Sequence, residues 1–179
     1  MGNKLEKPEV IRHLEKYLEL ARSRFESRDA ALAMFFAITA IEESGKLLML
    51  RDANLRDKAE RKRLLEHSEK CLIAAINLID ANQRLDALPS AWRNEVWDWI
   101  AEPEKLVRLR HDCLYFRFSR SGNLTMPEQA VEANRAALAV YLAGMAIAEL
   151  QEYISGLTPE WATGIRRSAE AFRLQHLLM

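Results

Sequence analysis

The sequence predicts an all-α fold, a single-domain helical bundle of about five to seven helices. Three observations carry this expectation. Apolar residues recur at three- and four-residue spacing through most of the chain. Only six glycines and five prolines interrupt that spacing. No run alternates cleanly enough to argue for a strand.

Pro8 suits a first helical position, because its ring presets φ, and it opens a helix to about Ser27 with Ile11, Leu14, Leu18 and Phe25 on one side. A second helix, from about Asp29 to Ala53, is the most apolar. A third, from about Arg56 to Gln83, carries Leu64, Leu65, Cys71, Leu72, Ile76 and Ile79. Pro89-Ser90 opens a short helix with Trp92, Val96, Trp99 and Ile100 at helical spacing. Pro103 opens the next, expected to end by Ser119 to Gly122. Thr125-Met126-Pro127-Glu128 reads as a capping box that starts a long helix through Tyr141 to Ile154. Ser155-Gly156 stops it, and Thr158-Pro159 caps a final helix carrying Trp161, Ile165, Phe172 and Leu177.

At 179 residues the chain fits one domain, 1–179, able to bury roughly 70% of its unfolded surface. Its 26 basic and 26 acidic residues balance, so no global field draws it to nucleic acid, although a local basic strip is compatible with the total. Cys71 and Cys113 lie far apart with no C-x-x-C and no His/Cys cluster, and read as buried thiols in a reducing cytoplasm. The N-terminus turns charged at once and has no signal-peptide core; Glu6 stands where a myristoylation signal needs serine or threonine. The longest uncharged run, Ala30 to Ile41, is too short to span a bilayer. The expectation is a soluble cytoplasmic protein with no membrane association.

One residue breaks the apolar pattern informatively. At about 100° per residue, Leu106, Val107, Cys113 and Leu114 all fall within about 60° of Arg110. An arginine there loses water and cannot shed its charge, so it needs a buried anion or an opening to a ligand. Glu42 is the obvious partner, since it lies inside the stripe of Ala31, Met34, Phe35, Ile38, Ile41 and Met49. Lys46 follows Glu42 by four residues, the favourable orientation for a helical ion pair, and Glu43 sits at the stripe's edge. Gly45, on the packed face, permits a close helix crossing or a ligand approach. Two readings stand at this point. The Glu42–Arg110 pair either fixes helix register, as buried ion pairs often do, or marks a site.

Other candidates carry less. Glu66 with Glu69, and Glu149 with Glu152, are a turn apart, but the Glu-x-x-His motif of a di-iron bundle does not occur, so no metal is expected. His67 follows Arg61 in a formal R-x5-H, within a stretch charged enough to be a solvated face; His67 and Lys70 end it. His111 lies at the edge of the packed face of its helix. Trp92, Trp97 and Trp99 suit core or interface better than base stacking. With no nucleophile elbow, Walker loop or dinucleotide fingerprint, no cofactor is expected.

Taken together, Ala40-Ile41-Glu42-Glu43-Ser44-Gly45-Lys46, then His67-Ser68-Glu69-Lys70, then Arg110 through Leu114-Tyr115 resemble the AbiV-type abortive-infection proteins, within the broad HEPN group of helical domains. The A-x-E-E-x-G-K element followed by R-x4-Y is moderately specific, and the likeness spans roughly residues 28 to 120. It implies an antiphage role, a likeness to dimerising bundles, and, from HEPN domains generally, metal-independent ribonuclease activity at an R-x4-6-H motif placed twice across a dimer cleft. There an arginine holds the scissile phosphate while a histidine moves protons for attack by the 2′-OH.

Carried over residue by residue, Arg110 matches the arginine and Glu42 or Glu43 the polar helix facing it. Tyr115 stands at the histidine position, and Phe116-Arg117 stands where the family tends to have Val-Asp. A tyrosine with its ordinary pKa of about 10 is a poor base at neutral pH but a good hydrogen-bond donor. The expected site therefore has Arg110, Tyr115, His111 and Glu42 in catalytic roles, with Lys46, Glu43, His67 and Lys70 against RNA. The implied partners are a second copy, RNA or the translation machinery, and a phage or host protein as trigger. The rival expectation is a non-catalytic protein- or RNA-binding module in which the Glu42–Arg110 pair is structural.

Overall fold

A computed structural model describes residues 7–52, 68–115, 117–118, 124–154 and 156–177. Helix α1 spans Lys7–Glu26, α2 Ala30–Asp52, α3 Ser68–Ala81, α4 Ser90–Ala101, α5 Pro103–Asp112, α6 Pro127–Ala130, α7 Ala133–Glu149 and α8 Pro159–His176. Two 3-10 turns, Arg84–Ala87 and Leu150–Glu152, punctuate them. Two-residue strands, β1 Arg117–Phe118 and β2 Leu124–Thr125, pair antiparallel. The fold is all-α, as the helical spacing implies.

Local chemistry explains most boundaries. Between α1 and α2 the chain reverses at Arg28, whose φ of 64° places it in the left-handed region. Asp29 then caps α2, its carboxylate accepting from the Leu32 N–H at 3.0 Å. Thr158 caps α8 in the same way, its hydroxyl oxygen accepting from the Trp161 N–H at 3.2 Å, with Pro159 at the first helical position.

The core is built on α2 and α7, which pack on each other and are wrapped by α1, α3 and α8, with α5 closing one side. Every residue from Ala136 to Leu150 is buried, so beyond its exposed first turn α7 has no solvent face. Its alanines and Gly144 let neighbours come close; a Cβ on Gly144 would stand 2.8 Å from the Ala169 Cβ of α8. Buried residues likewise surround the first half of α2 (Ala31, Ala33, Met34, Ala37, Ile38, Ala40, Ile41), more than the single stripe expected. At Gly45 a Cβ would fall 1.8 Å from the Cys71 carbonyl oxygen of α3, so the missing side chain serves a helix crossing. The apolar positions expected on α1, α3, α4 and α8 are buried or packed on this core.

Three boundaries differ from expectation. The arginine helix stops at Asp112, well short of Ser119: the Leu114 and Tyr115 N–H groups both donate to the His111 carbonyl, which closes the helix, and the chain then enters the β1–β2 pairing. That pairing itself was not expected, because two-residue strands are too short to show alternation. The long helix expected from Met126 is two helices, broken where Val131 and Glu132 are extended. The cap before it sits one residue later than Thr125: Met126 is the N-cap and its N–H donates to Gln129 Oε1 at 3.1 Å. The start of the third helix expected at Arg56, with Leu64 and Leu65, lies outside the described residues.

Candidate functional site

The candidate site forms where α5 crosses α2. Helical spacing places Glu42 among Ile38, Ile41 and Gly45, so packing against α3, α5 and α7 takes its carboxylate out of water, leaving its side chain 4% accessible. Arg110 reaches it from α5, its Nη1 donating to Glu42 Oε2. Lys46, one turn on, holds the other oxygen, with Nζ 2.8 Å from Oε1. The Lys46 ammonium also donates to Glu43 Oε1 at 2.6 Å. Among the described residues, two carboxylates and two cations thus form a cluster running from a buried centre, Glu42, to a half-buried edge, Glu43.

The electrostatics follow from this geometry. Burial works against the charge of Lys46, but its hydrogen bonds to Glu42 and Glu43 outweigh it and hold its pKa above the ordinary lysine value. Beneath the cluster, the Cys71 thiol lies 3.7 Å from Met49 Sδ, and burial pushes its pKa up to about 11. Burial raises Cys113, near the end of α5, to about 12. Both cysteines are therefore buried thiols, and neither is poised as a nucleophile at neutral pH.

Arg110 keeps one-fifth of its side chain accessible, and among the described residues Glu42 Oε2 is its hydrogen-bond acceptor. The arginine is thus anchored by Glu42 and still one-fifth accessible, and a guanidinium so held can receive a second anion.

Glu42, Glu43, Lys46 and Arg110 come together as the spacing suggests. His111 is exposed on α5 and Tyr115 is 62% exposed on the turn beyond it, and among the described residues no hydrogen bond ties either side chain to the cluster. Lys70 is exposed near the start of α3. His67 lies outside the described residues.

The sequence reading passed over two buried charges. Glu149, considered only as half of a metal pair with Glu152, is fully buried and is clamped by two arginines. Arg84 Nε and Arg166 Nε both donate to its Oε1, at 3.0 and 2.9 Å, and Arg166 Nη2 donates to Oε2 at 3.2 Å. Beside it the Tyr141 hydroxyl bridges the Arg84 carbonyl, at 3.2 Å, and Glu170, at 3.1 Å. Burial, then the Glu170 charge, raise its pKa. The clamp ties the Arg84–Ala87 turn to α7 and α8. Arg22 of α1 donates from Nη1 to Ser168 Oγ at 2.6 Å, while its Nε and Nη2 are buried without a partner. The signal for Glu149 is different from that for Arg110: a charge at the end of the long apolar run from Ala136 to Ala148.

Residues 8–148 match the family model described as AbiV, of the HEPN group. No curated protein and no solved structure matches the chain. Among the described residues, no helix is long and apolar enough to cross a membrane.

Proposed function

Since the chain belongs to the AbiV family of HEPN domains, we propose that it is an abortive-infection protein acting on RNA or the translation machinery from the cytoplasm, as a metal-independent ribonuclease. One observation carries this reading: a guanidinium held by a buried carboxylate on a side chain that stays one-fifth accessible. Arg110 holds the phosphate, Glu42 orients Arg110, and Lys46, Glu43, His67 and Lys70 meet the flanking RNA. In the reaction the 2′-oxygen attacks the adjacent phosphorus and the 5′-oxygen leaves, giving a cyclic phosphate. His111 exchanges the protons, and Tyr115 donates a hydrogen bond to the phosphoryl oxygens. Two copies share one cleft, and a phage or host protein triggers the activity.

The exposed His111 favours a second reading. No acceptor among the described residues fixes its tautomer, and Tyr115 stands where a histidine would serve, as befits a module that binds RNA or protein without cutting. The deciding experiment compares wild type with Arg110→Ala on total cellular RNA, with and without chelator, after circular dichroism confirms that both are folded. Cleavage that survives chelator and vanishes in Arg110→Ala supports the nuclease. Cleavage that survives Arg110→Ala removes the assignment. RNA binding without cleavage, weakening steeply with salt, supports the binding module.

A further inference from the structure

Helix α8 lies outside residues 8–148, the part of the chain that matches the AbiV family model, and one serine on it stands apart. Ser27, Thr39 and Ser44 turn their hydroxyls back on the chain, each donating at 2.8 Å to the carbonyl four residues earlier. Ser168, exposed on α8, does not. Among the described residues its hydroxyl only accepts, taking a hydrogen from Arg22 Nη1 of α1 at 2.6 Å. Its own hydrogen is committed to no acceptor there.

Arg22 holds more donors than it uses. Nη1 serves Ser168, while Nε and Nη2 are buried without a partner. We propose that Ser168 is a phosphorylation site and that Arg22 is the receptor for its phosphate. The phosphoryl donor is ATP, brought by a serine kinase. Ser168 Oγ attacks the γ-phosphorus, the Oγ–P bond forms, and the bond to the β–γ bridging oxygen breaks. ADP leaves, and the hydroxyl proton passes to the kinase's base. A hydroxyl offers one oxygen and fills one donor. The phosphoryl group adds three acceptor oxygens, so Nη1 and Nη2, which form one edge of the guanidinium fork, close on it in parallel.

The surroundings favour a tethered phosphate over a free anion. Ile165, one turn before Ser168 on the same face of α8, lines with Arg22 a groove of about 480 Å³, ample for a phosphoryl group. Glu15, Glu19 and Glu26 line it too, and their charge turns a freely diffusing anion away. A phosphate carried on Oγ is held beside Arg22 by its own ester bond, so it needs no affinity from solution. Phosphorylation thus replaces a single contact with a hydroxyl by charge-assisted pairing between α1 and α8, and latches the helix that covers α7. No residue of the Glu42–Arg110 cluster enters this inference, which stands apart from the nuclease reading.

The full chain with genetically encoded phosphoserine at position 168, compared with the unmodified chain and with Arg22→Met in both forms, tests the latch once circular dichroism shows all four folded. Phosphoserine is expected to raise the thermal midpoint by at least about 3 °C where Arg22 is present, and not to raise it in Arg22→Met. By phosphorus NMR the second ionisation of the phosphate, at about pH 6 when unperturbed, is expected to lie lower with Arg22 than in Arg22→Met. Phosphopeptide mapping of the chain isolated from growing and from phage-infected bacterial cells is expected to find phosphate on Ser168. A midpoint that does not rise, a rise that survives Arg22→Met, or an ionisation indifferent to Arg22 would each remove Arg22 as the receptor. A Ser168 bare of phosphate in both cell samples would overturn the site itself.

Discussion

Gly45 lies so close to Cys71 that a methyl group on it would stand 1.8 Å from the Cys71 carbonyl oxygen. Backbone meets backbone there, one turn from Glu42, and no rotamer change relieves the contact. Gly45→Ala must part α2 from α3. Overpacking typically costs about 1–3 kcal/mol, and a clash with backbone belongs at or above the top of that range. Urea unfolding is expected to show a loss of about 3 kcal/mol. A loss under about 1 kcal/mol would mean that the helices are free to separate.

The Glu42–Arg110 pair separates structure from function in a second experiment. Removing Arg110 alone leaves Glu42 with Lys46, so Arg110→Ala should cost less than the roughly 3–5 kcal/mol of a fully orphaned buried charge. Removing Glu42 alone orphans Arg110. The double replacement Glu42→Leu with Arg110→Leu is expected to recover most of the stability lost by Glu42→Leu, because apolar packing replaces a desolvated pair. The same double variant should lose RNA affinity. Full RNA affinity in a stable double variant would make the pair purely structural.

The Glu149 clamp predicts a larger effect on folding than on any activity. Glu149→Ala leaves Arg84 and Arg166 facing each other across a buried gap. Both arginines retain some access to water, so the loss should fall below the roughly 3–5 kcal/mol of a sealed pair, at about 2–3 kcal/mol by thermal unfolding. A neutral result would mean that water enters the clamp freely.

Arg22 predicts a gain. Its Nε and Nη2 are buried without partners, and burial lowers its pKa despite the opposing Glu26 charge. An unsatisfied buried donor costs about 1–3 kcal/mol, whereas a methionine of similar reach has none to satisfy. Arg22→Met should therefore raise stability by about 1 kcal/mol in denaturant unfolding. Destabilisation instead would show that the Ser168 hydrogen bond outweighs the orphaned donors.

The thiols predict an alkaline limit. Folding raises Cys71 from 9.0 to about 11 and Cys113 from 9.0 to about 12, so the folded protein keeps protons that the unfolded chain releases. Their contribution is whole below about pH 9 and fades as pH climbs toward the folded values. Lys46, also raised, fades in the same direction. Stability measured from pH 8 to 11 should fall, and Cys71→Ala with Cys113→Ala should flatten part of that fall. An unchanged slope in the double variant would assign it to other groups.

The Glu42–Arg110 pair was legible because a period of 3.6 residues sets both charges inside otherwise apolar stripes, and partner and position follow from that alone. Glu149 escaped that rule: from Ala136 on, α7 is apolar all round, so there was no stripe for a charge to lie inside. The end of α5 was not legible because the pairing of Arg117 with Thr125, across intervening chain, decides it rather than local propensity. That early stop is also why Tyr115 stands on a turn beyond α5 and not on the helix. Gly45 was legible as a close approach, but its neighbour was not, since nothing in the spacing of α2 names Cys71.

The burial of α7 from Ala136 onward bears on how the chain comes into being. A ribosome releases this segment before α8, which must cover it, has been made, so a nascent chain ending near residue 148 offers water an apolar rod with one flank bare. The matched region taken alone would meet chaperones or aggregate. An expression boundary drawn where the family likeness stops would cut through the protein's own interior.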